Sequence, residues 1–230
     1  MKIGGLIGGV SWHSTNEIYE AVNNRVNSIM GDSNCAKLIV VNVNLQEILD
    51  ADSKEKQASI LAGAAERIEL AGGDFVALCS NGLHMYAEDI QKTVNIPLIH
   101  IADVTADAIK RAGFSRAGLI GVRETMEEGF YRNILSKNGI ESIIPGEEDR
   151  AYIDNILFSE TCHGIIREES CRRFYEIADE LMVSGAECVI MGCTEVGMLM
   201  KQADTKIPLF DTATLHAERI AELCAGVREV

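Results

Sequence analysis

Short apolar runs alternate with longer stretches in which apolar residues recur every three or four positions, and the alternation continues along the whole chain. The runs read as strands: 3–7, 38–43, 75–78 and 96–100 in the first half, then 117–120, 142–144, 188–191 and 208–210 in the second. Helical patterns fill the gaps, over 14–27, 53–71, 83–93 and 102–112, then over 127–138, 148–159, 168–184 and 214–225. Ser14 is placed as the N-cap of the first helix, with Glu17 completing a capping box. The unbroken run 38–43 predicts a strand buried on both faces. Pro97, Pro145 and Pro208 all fall outside the helices. Strand and helix in alternation predict an α/β fold with parallel sheets flanked by helices.

The pattern is also duplicated. Ala71-Gly-Gly-Asp-Phe-Val-Ala-Leu-Cys-Ser80-Asn81 aligns with Ser184-Gly-Ala-Glu-Cys-Val-Ile-Met-Gly-Cys193-Thr194 at an offset of 113, which sets Ser80 on Cys193. The same offset sets Gly5 on Gly118 and Gly8 on Gly121, and an offset of 111 sets Ile96-Pro-Leu-Ile-His100 on Ile207-Pro-Leu-Phe-Asp211. A period this long is not that of a solenoid. It predicts two pseudo-symmetric α/β domains, 1–100 plus 211–230 and 101–210, with the strand C-termini of both turned to a shared cleft.

Composition narrows the partners. Hydrophobic residues make up 47% of 230, ample for a core in each half, and 35 acidic against 21 basic residues give a net charge of −14. That charge argues against nucleic acid and anionic membranes and for a small-molecule ligand. No apolar run approaches a membrane span, and no signal-type segment opens the chain, so the expected location is the cytoplasm. The seven cysteines contain no C-x-x-C and no ligand spacing with histidine, so neither a disulfide framework nor a metal site is predicted. Most of these thiols are expected to be small buried hydrophobes. Cys193 differs because it ends a strand.

The loops at the strand ends carry the candidate chemistry. Gly8-Gly-Val10-Ser11-Trp12 offers backbone N–H groups to an anion but lacks dinucleotide and P-loop spacing, so no nucleotide is predicted. Ser80-Asn81-Gly82-Leu83-His84 offers a hydroxyl, an amide and a ring; Cys193-Thr194-Glu195 offers a thiol, a hydroxyl and a carboxylate. Thr125 follows the strand 117–120 as Trp12 follows the first strand, and His84 and His216 each trail a strand end by a few residues. Cys79 is expected to point away from the side that Ser80 faces, by strand alternation.

Ile7-Gly-Gly-Val-Ser-Trp12, Asn81 with His84, Gly192-Cys-Thr-Glu195, and Asp211-Thr212 with His216-Ala217 together resemble the aspartate/glutamate racemase family, over nearly the whole chain. The resemblance implies an amino-acid racemase that needs no pyridoxal phosphate or other cofactor. It also implies an active site between the two domains, a last helix that crosses back to the first domain, and a homodimer. In such enzymes two cysteines stand on opposite faces of the substrate Cα, one removing the proton as thiolate and the other returning one. Here Cys193 matches the second cysteine, Ser80 stands at the first, and Gly82 replaces a threonine. A hydroxyl at that first position is similar to the branch specific for L-aspartate and L-glutamate, so an L-preference is implied, with Ser80 and Cys193 catalytic. Val10, Ser11, Asn81, Gly82, Thr125, Thr194 and Glu195 would line the substrate, with His84 and His216 behind them. The stretch after the second strand, which reads the substrate side chain in aspartate enzymes of the family, offers Gln46, Asp50, Asp52 and Lys54 without an arginine. It leaves acidic, neutral and basic side chains open. Two other functions are carried forward: a hydrolase with Cys193 as nucleophile and His216 as base, and a catalytically weakened amino-acid-binding protein.

Overall fold

Gly5 sits in the middle of the first strand, and a Cβ there would lie 2.1 Å from Ile68 Cγ2. A helix therefore packs directly onto bare backbone. In the computed structural model, which describes Met1–Glu229, that helix is Lys54–Leu70. It buries Ala58, Leu61, Ala62, Ala65 and Ile68, the face its three- and four-residue spacing predicts. Leu61 and Ile68 are wholly buried among Ile7, Val76, Leu78 and Ile90, and each such side chain contributes about 1.5–3 kcal/mol of burial.

The strands are β1 (Ile3–Gly8), β2 (Lys37–Asn42), β3 (Phe75–Leu78), β4 (Leu98–Ile99), β5 (Arg116–Ile120), β6 (Glu141–Ile143), β7 (Cys188–Met191) and β8 (Leu209–Asp211). They form two four-stranded sheets, β2-β1-β3-β4 and β6-β5-β7-β8, parallel throughout. Around them the chain forms two compact units: Met1–Ile101 with the chain from His216 onward, and Ala102–Leu215. The final helix, Thr212–Ala225, thus begins in the second unit, where Thr212 Oγ1 donates to Met191 O at 2.7 Å, and continues into the first. Among the described residues no helix is long and apolar enough to cross a membrane.

Several local expectations are corrected. The strand over 38–43 is not buried on both faces: β2 is an edge strand, with Val40 42% exposed. Continuous apolar character alone does not separate a central strand from an edge. The first helix runs Trp12–Met30 and is capped by Ser11, whose Oγ accepts from Ser14 N at 3.3 Å, so Ser14 lies inside the first turn and is buried. The pattern over 83–93 divides into a 3-10 turn, Gly82–Tyr86, and a short helix, Ala87–Gln91. Short helices Leu45–Leu49, Arg123–Glu127 and Val196–Leu199 follow strand ends and are too brief for a periodic signal.

Candidate functional site

In the first unit the register β1–β2 and β1–β3 brings three strand ends side by side. Val43 N donates to Gly8 O at 2.9 Å and Cys79 N to Ile7 O at 2.9 Å, closing the ladders where the loops begin. Gly9 adopts φ 93°, and a Cβ there would lie 2.0 Å from Val43 O, so only glycine passes. Its N–H donates to Thr15 Oγ1. Val10 is partly buried, and the Ser11 hydroxyl, the helix cap, lies beside it in this turn.

Ser80 is half-buried at the end of β3, whereas Cys79 is 2% exposed and burial pushes its thiol up to about 12. Asn81 is buried, Gly82 opens the 3-10 turn, and His84 N donates to Asn81 O. His84 Nδ1 lies 2.7 Å from the Ser80 carbonyl oxygen. Its ring meets two others, His100 at 4.7 Å and His216 at 5.7 Å between centroids. His100 was not among the candidate site residues, although its place at the end of β4, matching Asp211 in the duplication, is a signal for it.

In the second unit Gly192 N donates to Ile120 O, joining the ends of β7 and β5. Thr125 is fully buried against Gly121 and Gly192, and its Oγ1 has no hydrogen-bond partner. Cys193 is half-buried at the turn after β7. Its Sγ donates to Glu195 Oε2 at 2.9 Å, and Thr194 Oγ1 donates to the same oxygen at 2.6 Å. Burial, followed by the adjacent Glu195 charge, raises the Cys193 thiol well above its ordinary range. The resting group is a thiol hydrogen-bonded to a carboxylate, and Glu195 is turned to Cys193. Cys162, in the 3-10 turn Thr161–His163, is raised too, by partial burial first and then by the Glu195 charge. It is exposed, as is Cys35, so these two thiols depart from the buried pattern that holds for Cys79, Cys188 and Cys224.

Gln46 and Asp52 lie in the segment after β2, both exposed. Gln46 Nε2 donates to Asp50 Oδ1 at 2.7 Å and Asp52 pairs with Lys56 at 2.6 Å. Glu47, Asp50, Asp52 and Lys56 border a surface hollow of about 540 Å³. His216 is wholly buried and neither ring nitrogen has a hydrogen-bond partner. Among the described residues no group of three or more His, Cys, Asp or Glu side chains has the arrangement of a metal site.

Known proteins share this architecture and sequence. A profile of the Asp/Glu/Hydantoin racemase family matches residues 7–220. The broad specificity amino-acid racemase of Bacillus subtilis is 25% identical over 167 residues, 73% of this chain and 71% of that protein. Among solved structures, a Yersinia pestis protein assigned to the Asp/Glu racemases superposes with a TM-score of 0.92 at 39% identity, over 97% of this chain and 99% of its own. An aspartate racemase homologue from Pyrococcus horikoshii gives 0.86 at 30% identity, over 98% and 100%. By this match, which takes in both sheets and both strand-end loops, the chain belongs to the Asp/Glu/Hydantoin racemase family.

Proposed function

We propose that this protein is a cofactor-independent amino-acid racemase in which Cys193 works on one face of the substrate Cα and Ser80 on the other, with preference for the L-isomer. The observation that carries the reading is the Cys193 thiol donating to Glu195 at the tip of β7. A thiol this hard to ionise needs a proton acceptor, and the carboxylate at 2.9 Å is one. The S–H proton passes to Glu195, and the thiolate then takes the Cα proton of the L-isomer. The electron pair left behind is delocalised into the substrate carboxylate, where backbone N–H groups of the 9–12 and 80–82 turns and the Ser11, Thr125 and Thr194 hydroxyls serve as donors. A proton delivered from the Ser80 side gives the D-isomer, the serine recovers its proton from water, and Glu195 releases its own. Serine is a poor acid and a worse base at neutral pH, so the Ser80 face is the slow one.

The exposed apolar edge of β2 supports assembly of a homodimer along that strand, and a reducing cytoplasmic setting would keep Cys193 in its thiol form. The test of the reading is Cα proton exchange in D2O on a panel of L- and D-aspartate, glutamate, alanine, lysine and arginine. Loss of the Cα proton signal with appearance of the opposite enantiomer is expected for at least one pair. Exchange with none of them, by protein that is folded, rules the racemase reading out and leaves the binding-protein alternative.

A further inference from the structure

Three imidazoles that this chemistry does not consume are packed together in the first unit. They come from three elements: His84 from the 3-10 turn after β3, His100 from the end of β4 and His216 from the final helix. His84 and His216 are 1% and 0% exposed. The short contact from His84 Nδ1 to the Ser80 carbonyl makes Nδ1 the protonated nitrogen, since a carbonyl oxygen only accepts. His84 Nε2 then carries the lone pair and is buried without a partner, and both ring nitrogens of His216 also lack a partner. The rings of His100 and His216 pack against the His84 ring.

The two halves show what this ring is for. The ladder of the first sheet ends at Cys79, one residue before Ser80. His84 N donates to Asn81 O just as Gly197 N donates to Thr194 O at the duplicated position, so the turn itself needs no imidazole. In the second unit the Cys193 carbonyl is held by Val196 N. In the first, the Ser80 carbonyl is held by the His84 ring. Burial keeps all three rings neutral: His84 is lowered to about 4 and His100 to about 2, and His216 is held well below its ordinary value by burial first and then by His84, His100 and Arg219.

Resting on the racemase reading above, we propose that His84 is the positioning residue for Ser80, its Nδ1–H fixing the Ser80 backbone and its ring clamped by His100 and His216, so that the final helix helps set where the serine stands. The test compares His84→Asn with His84→Gln. The asparagine amide N–H falls near the place of Nδ1–H and the glutamine one near Nε2. Exchange is read separately for the two enantiomers of the fastest pair in the panel above. Asparagine should keep the Ser80-face rate within about threefold, and glutamine should lower it about 10- to 100-fold in kcat with little change in KM, as misplacement of a reacting group does. The Cys193-face rate should stay within about threefold in both. Equal loss in the two variants, or equal loss on both faces, overturns the proposal. Should wild-type protein exchange no amino acid, the racemase reading falls by itself. Positioning is then decided by backbone amide hydrogen exchange at 80–82, which needs no substrate. Glutamine should speed it about tenfold and asparagine leave it unchanged, whereas no difference between them overturns the proposal.

Discussion

The two halves of this chain use the same residues to build their sheets and different ones to finish them. Gly5 lets Ile68 reach the first sheet, and Gly118 lets Leu181 reach the second at 3.0 Å; both pairs are separated by the duplication offset. Asp74 accepts from Ile3 N, and Glu187 accepts from Arg116 N. Gln91 takes Leu98 N and Ile96 O, while Gln202 takes Leu209 N and Ile207 O. At the strand tips this correspondence stops. One half has a serine whose carbonyl meets a cluster of neutral, buried imidazoles, and the other a thiol against a carboxylate. A duplicated scaffold therefore constrains what holds the helices to the sheets, and leaves the strand tips free to differ.

The largest expected effect lies on the thiol side. Cys193→Ala should lower Cα exchange by at least about a thousandfold while leaving the fold intact, measured by NMR in D2O and by circular dichroism. Exchange that persists in the folded variant would move the proton chemistry elsewhere.

Acid separates the halves next, because the buried histidines belong to the first. Each has a folded pKa below its unfolded value, so its contribution is complete above about pH 6.5 and is lost as pH falls toward about 4, where His84 begins to protonate while still folded. Three such groups together give a loss of about 4 kcal/mol per pH unit near pH 5. Urea midpoints at pH 7, 6 and 5 should show it, and His216→Phe should reduce the slope by about 1.4 kcal/mol per unit. An unaltered slope in that variant would mean that His216 is not buried neutral.

Glu195→Gln sharpens the contrast at the thiol itself. Removing the charge should lower the Cys193 pKa, read as faster alkylation by iodoacetamide at pH 8, yet reduce kcat about 100-fold because the proton acceptor is gone. A rise confined to KM would return Glu195 to a purely substrate-binding role. The smallest effect tests the shared scaffold. Gly5→Ala should cost about 2 kcal/mol and Gly118→Ala about 1, in the order of their 2.1 and 3.0 Å contacts; the reverse order would show that the two helix–sheet seams are not equivalent.

Most of the scaffold was legible because strands, helices and the duplication are written in apolar periodicity, which burial enforces residue by residue. β3 and β7 fall on the runs Phe75–Leu78 and Cys188–Met191. The edge position of β2 was not legible, since sheet order is a long-range property. Nor was the Ser11 cap, because Trp12 and His13 extend the helix with residues whose own spacing says nothing. At the site, strand alternation set Cys79 apart from Ser80 and the duplication drew attention to Cys193. The thiol's high pKa and its bond to Glu195 depend on how Glu195 turns back within a two-residue loop, and the histidine cluster depends on a contact between residues 84 and 216. Neither leaves a periodic trace.

The claim that the two faces are chemically unequal is tested most directly by Cα exchange of both enantiomers of one amino acid in D2O, with wild type and Ser80→Cys side by side. Wild type should exchange the L-isomer faster than it inverts it and faster than it exchanges the D-isomer, and Ser80→Cys should raise the D-isomer rate selectively. Equal L and D exchange by wild type would contradict the account, because the serine side would then hold a base as competent as Cys193.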